Sequence, residues 1–131
     1  MNEHRVSTGM DGLDKAISGG FPKGSLILIT GNPGTGKTVF SARFLYRGVV
    51  DSNENAVYVN FSETREVFYR NMKAFGFDFE LLEKEGKFSY LSMLAVREVR
   101  ISSLLKMILE ELGRIEAKRL VIDSFSVIAQ A

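Results

Sequence analysis

The stretch Gly31-Asn32-Pro33-Gly34-Thr35-Gly36-Lys37-Thr38 places Gly31, Gly36, Lys37 and Thr38 at the spacing G-x-x-x-x-G-K-[ST]. Its glycines let successive backbone N–H groups turn inward and approach phosphate oxygens with no Cβ in the way. In a loop of this kind the lysine, here Lys37, reaches the β- and γ-phosphates, and the hydroxyl of Thr38 is a ligand for Mg²⁺. The chemistry implied is the cradling of Mg-ATP. Asn32, Pro33, Gly34, Thr35 and Val39 complete the candidate cradle and the turn behind it. A second metal-side oxygen is offered by Asp123, which ends the apolar run Leu120-Val121-Ile122-Asp123. An acidic residue at the end of a buried strand can hold the hydration shell of a magnesium ion. Read alone, such an Asp serves equally well as a turn cap; the loop upstream makes the metal role the favoured one. Ser124 follows it, so no hydrolytic carboxylate adjoins the metal carboxylate.

The search for a base therefore moves to another strand end. Ala56-Val-Tyr-Val-Asn-Phe61 runs into Ser62-Glu63-Thr64. If this strand and the Asp123 strand are neighbours, Glu63 stands beside the γ-phosphate and is the candidate to polarise a water. The competing reading makes Glu63 an acidic first-turn residue of the next helix, favoured by the helix dipole.

These residues need a scaffold of strands with helices between them. Ser25 to Thr30 is a continuous apolar run, as in buried parallel strands. A helix is expected from Thr38 to about Val50, with Phe40, Phe44 and Leu45 on one face. Strands are expected at Ala56–Phe61, Lys87–Met93 and Arg119–Asp123. Thr64–Phe75 reads as a helix with Phe68, Met72 and Phe75 on one face and Gly76 as its stop. Asp78–Glu85 is a short Asp-capped helix ended by Gly86, and Ser102–Ala117 a long one with Leu105, Ile108, Leu109, Leu112 and Ile115 at helical spacing. A further short helix is expected between the glycine-rich turns of residues 9–20. The alternation argues for an α/β fold: a parallel sheet with flanking helices.

Composition narrows the partners. The 131 residues are 45% apolar and 25% charged, as in ordinary globular domains, with a net charge of +1. That charge gives no global pull toward DNA or anionic lipid, so contact with DNA would need a local patch. Arg65, Arg70 and Lys73, with Arg97 and Arg100, could make such patches, but Glu63, Glu66, Glu80 and Glu98 dilute them. Arg43 and Arg47 read as a solvated helix face, and Phe75, Phe77 and Phe79 as loop packing. No Cys is present, which excludes disulfides and thiolate metal sites. The polar opening MNEHRVSTGMDGLD lacks the apolar core of a signal peptide, and no run approaches membrane-spanning length, so a cytoplasmic setting is expected.

The segments Ser7-Thr-Gly-Met-Asp-Gly-Leu-Asp14 and Gly19-Gly-Phe-Pro-Lys-Gly-Ser25, followed by the loop, resemble the opening of KaiC-type ATPases in the RecA/RadA superfamily. The similarity runs on through VYVNFSET and RLVIDS. The resemblance implies a RecA-like P-loop core, ATP and Mg²⁺ held by Gly34, Thr35, Gly36, Lys37 and Thr38 with Asp123 on the metal side, and homo-oligomeric assembly with ATP between subunits. Two departures stand out. Where such proteins carry Glu-Glu after the second strand, this chain reads Ser62-Glu63, with Ser at the usual base position. The chain also ends at Ala131, before the strand that in this superfamily separates the loop strand from the Asp123 strand. Residues 1–131 are therefore expected to be a partial domain, its sheet gapped or completed by other means.

A positioned base contributes about 10²–10⁴-fold to rate and an arginine finger about 10³–10⁵-fold. With Ser at the usual base position and no trans-acting Lys or Arg supplied by these residues, the expectation is nucleotide binding with slow hydrolysis. The alternatives are a RadA-like ATPase that binds single-stranded DNA and a non-hydrolysing assembly module.

Overall fold

The computed structural model describes residues 5–6, 21–22, 26–29, 35–94 and 101–123. Arg5–Val6 (β1) pairs antiparallel with Phe21–Pro22 (β2), a ribbon too short to leave a periodic signal in the sequence. Leu26–Ile29 (β3) leads to the helix Thr35–Ser52 (α1) and then to Ala56–Asn60 (β4). Arg65–Lys73 (α2), Phe79–Lys84 (α3) and Phe88–Ser92 (β5) follow, then Ile101–Arg114 (α4) and Arg119–Asp123 (β6). The strands β3 to β6 form one all-parallel sheet in the order β3-β6-β4-β5.

Strand alternation sends neighbouring side chains to opposite faces. Ala56, Tyr58 and Val121 pack with Ala42, Leu45 and Val49 of α1 and with Phe68, Met72, Phe79 and Leu82 of the α2–α3 pair. Val57, Val59, Leu120 and Ile122 pack against Leu104, Leu105, Ile108 and Leu112 of α4. Every residue of β4 is buried, because helices cover the sheet on both faces. Helix ends follow local chemistry. Thr64 accepts from the Val67 amide at 3.3 Å and Asp78 from the Leu81 amide at 3.2 Å, each satisfying an orphan donor of the first turn. Gly76 and Gly86 take φ of 87° and 74°, where only glycine sits without strain.

Four expectations need correction or relocation. The first helix begins at Thr35, a turn before the expected start. Phe40 and Phe75 are 64% and 53% exposed, whereas Leu45, Phe68 and Met72 do face the core. Phe75 lies beyond the end of α2, where the Gly76 turn has already taken the chain off the helical face. The expected gap in the sheet is absent: β3 pairs directly with β6, from Leu26↔Arg119 to Ile29↔Ile122. Leu120, Val121 and Ile122 are fully buried, and buried backbone groups left unpaired are costly, so β3 occupies the edge of β6 that β4 does not. The short helix expected within residues 9–20 lies outside the described residues. No helix among those described is long and apolar enough to cross a membrane.

One glycine is demanded by packing. A Cβ on Gly48 of α1 would run into Cδ and Nε of Arg119. That guanidinium donates to Glu54 Oε1 at 2.8 Å and to the Phe44 carbonyl at 3.0 Å, and lies 4.7 Å from the Phe44 ring centroid. Alanine would gain about 1 kcal/mol in helix propensity. It would lose charge-assisted bonds worth about 1.5–3 kcal/mol each when intact. Gly48→Ala is therefore expected to lower stability by about 1–2 kcal/mol, read from the urea midpoint; a stabilised variant would show that Arg119 relocates freely.

Candidate functional site

The parallel pairing of β4 with β6 sets Asn60 opposite Asp123, so both strands end at one edge of the sheet. The first turn of α1 arrives at the same edge. Helix N-termini present unpaired N–H groups and a positive dipole end, a ready site for anions. There Thr38 Oγ1 donates to Asp123 Oδ2 at 3.1 Å. The two candidate metal-side residues, far apart in sequence, are hydrogen-bonded to each other.

Asp123 is only 3% exposed, and the same Oδ2 accepts a second hydrogen bond, from the Tyr58 hydroxyl at 2.7 Å. Burial above all, and then the neighbouring Asp123 carboxylate, holds the Tyr58 hydroxyl well above its ordinary pKa. It therefore remains a donor throughout the physiological range. The Thr38–Asp123 pair fits a magnesium ion. Its donors are oxygens, which suit a hard cation. The described residues contain no group of three or more His, Cys, Asp or Glu that would hold a metal unaided. Mg²⁺ commonly binds through one or two carboxylates completed by water and substrate phosphates.

The turn after β4 is held by its backbone. The Ser62 amide donates to Asn60 Oδ1 at 2.8 Å. The Glu63 carbonyl accepts from Tyr90 Oη at 2.8 Å and from Ser92 Oγ at 3.1 Å. The Glu63 carboxylate accepts from Asn71 Nδ2 at 3.3 Å, so in this state it is tied to α2. Thr38, Val39, Asn60, Ser62, Glu63, Asn71 and Asp123 line one pocket of about 660 Å³. The structure thus brings Thr38, Val39, Glu63 and Asp123 together. Lys37 is exposed in the first turn of α1, next to Thr38, and a Cβ on Gly36 would meet open space. Gly31, Asn32, Pro33 and Gly34 lie outside the described residues, and of Thr35 only its place at the start of α1 is described.

Sequence reasoning missed Tyr58, Asn60, Asn71, Tyr90 and Ser92. Alternation along AVYVN does put Tyr58 and Asn60 on one face. That this face meets Asp123 follows only from the β4–β6 register.

The basic residues Arg65, Arg70 and Lys73 lie in a groove that also holds Glu66, Asp78, Glu80 and Glu83. Arg65 approaches Glu83 within 3.6 Å. Around Arg65, Arg70 and Lys73 the expected dilution is present in space as well as in sequence, while Arg97, Glu98 and Arg100 lie outside the described residues.

Comparison with known proteins places the chain in a family. The family model described as the KaiC ATPase matches residues 6–131. A UPF0273 protein of Methanocaldococcus jannaschii is 45% identical over 87 residues, covering 66% of this chain and 36% of the relative. A circadian clock oscillator protein KaiC of Acaryochloris marina is 34% identical over 133 aligned positions, covering 96% and 26%. Among solved structures, a KaiC-like protein from Pyrococcus horikoshii superposes with a TM-score of 0.63 at 42% identity, over 90% of this chain and 52% of that one. The chain thus spans about half, or less, of the length of these relatives. With the parallel sheet, the helices on both its faces and a family match across nearly its whole length, the chain belongs to the KaiC family of RecA-superfamily ATPases.

Proposed function

We propose that this chain, as a KaiC- and RecA-like unit over residues 1–131, binds ATP with Mg²⁺ at the edge of the sheet and turns it over slowly. The observation that carries the reading is the 3.1 Å contact between Thr38 and Asp123 at the head of α1, directly behind a G-x-x-x-x-G-K-T loop. In this reading the segment Gly31 to Val39 wraps the phosphates, its backbone N–H groups donating to them except at Pro33, which has none, and Lys37 supplies the positive charge at the β- and γ-phosphates. Thr38 offers its hydroxyl to the metal, and Asp123 faces the metal from the end of β6. Bound Mg²⁺ would neutralise charge on the β- and γ-phosphates. Slow turnover follows from Ser62 standing where relatives carry a base and from Glu63 being held by Asn71. The family resemblance implies assembly with ATP between subunits, so ATP is proposed to act in a cytoplasmic homo-oligomer. The interleaved acidic residues around Arg65, Arg70 and Lys73 argue against a DNA groove there.

Titration of the purified chain with a fluorescent ATP analogue, alongside a phosphate-release assay, tests the reading. Saturable binding, strengthened by Mg²⁺, with little phosphate released is the expected result. Lys37→Ala should weaken binding by roughly tenfold or more, since a hydrogen bond to a charged group is worth about 1.5–3 kcal/mol. Binding indifferent to Lys37→Ala would overturn the assignment of the loop.

A further inference from the structure

Tyr58 carries a hydroxyl into an aromatic part of the core. It is fully buried in the middle of β4, its ring 4.5 Å from Phe68 and 5.9 Å from Tyr90. A hydroxyl taken into such surroundings costs free energy unless it finds a partner. Its partner is Asp123 Oδ2 at 2.7 Å, the oxygen that also accepts from Thr38. The contact arises from register. Tyr58 lies opposite Val121 and Asn60 opposite Asp123, all on the α1 face of the sheet. The long phenol thus reaches diagonally along the sheet to the carboxylate two residues further on, whereas a shorter side chain at 58 would not. Thr38 holds the carboxylate from the helix side and Tyr58 from the sheet side.

We propose that Tyr58 is a positioning residue for the metal-side carboxylate: its hydroxyl fixes the orientation of Asp123 from within the core, so that Mg²⁺ and the phosphates meet a preset oxygen. The proposal rests on the Mg-ATP reading of the site. Partners of this outer kind are typically worth about 10–100-fold in metal affinity when removed. The ring of Tyr58 belongs to the core, and its hydroxyl belongs to the site.

Tyr58→Phe keeps the ring and removes the hydroxyl. The experiment titrates Mn²⁺, followed by electron paramagnetic resonance, into the intact chain with bound ATP, and measures ATP affinity in EDTA as the metal-free reference. Tyr69→Phe is the control: it deletes another tyrosine hydroxyl of the same aromatic cluster, one bonded to Glu83 at 2.9 Å and not among the groups that line the pocket. The expected result is a metal affinity about tenfold or more weaker for Tyr58→Phe, with its EDTA reference within about twofold of wild type and the control unmoved. An unchanged metal affinity in Tyr58→Phe, with Asp123→Asn still weakening it, overturns the role of Tyr58 and leaves the Mg-ATP reading standing. Equal weakening in Tyr58→Phe and Tyr69→Phe also overturns it, because the effect would then be general loosening of the cluster. A wild-type chain that binds ATP no better with metal overturns both.

Discussion

Asp123→Asn is expected to remove most of the metal-dependent gain in nucleotide affinity, on the order of 100-fold, while leaving the fold in place. Asn is nearly isosteric with Asp, and its carbonyl oxygen can accept from both Thr38 and Tyr58, the two donors that converge on Oδ2. What the change removes is the negative charge, and a charge facing a divalent ion from a buried position is weakly screened. Nucleotide titrations with and without Mg²⁺ separate this from a packing defect, because the metal-free affinity should stay close to wild type. A variant that keeps the full metal-dependent gain would take Asp123 off the metal side. Asp123→Ala differs in kind. It leaves the buried Tyr58 hydroxyl without that acceptor, and an unsatisfied buried group costs about 1–3 kcal/mol of stability besides.

The largest expected loss of stability comes from Phe68→Ala. Phe68 is fully buried, with ring centroids at 4.5 Å to Tyr58, 4.7 Å to Tyr90 and 5.4 Å to Phe79. It joins α2 and α3 to the α1 face of the sheet. Truncating a buried Phe to Ala typically costs 3–5 kcal/mol, since lost transfer free energy adds to the cavity left behind. Against a total of about 5–15 kcal/mol for a domain, that is a large share. Urea unfolding followed by circular dichroism measures it, and a loss below about 1 kcal/mol would mean that the cluster collapses onto the vacancy. The site should feel the change as well, because the Phe68 ring supports the Tyr58 ring whose hydroxyl meets Asp123.

Strong local signals were legible. Apolar spacing in Ser102–Ala117 led to α4, and Arg119–Asp123 is β6 as expected. Thr64, Gly76, Asp78 and Gly86 marked helix ends because capping and positive φ are settled within a few residues. Where local reading erred, a tertiary choice intervened. Phe40 and Phe75 are apolar at plausible core spacing, yet the face buried by each helix is decided by what lies across from it. The gap expected between β3 and β6 came from family topology, and the pairing of these two strands is non-local.

The site divides along the same line. The proposed phosphate loop, with Lys37 and Thr38, stands out by residue type and spacing, because such a cradle is made by consecutive backbone groups and one adjoining helix start. Asp123 and Glu63 were readable as strand ends. That Thr38 touches Asp123 and that Tyr58 reaches the same carboxylate from inside the core were decided by strand order and register. Such contacts join segments far apart along the chain, and a linear pattern carries no record of which strand lies beside which. The sequence by itself determined the family and, with it, the kind of chemistry proposed. The tertiary structure decided which side chains hold its oxygens still.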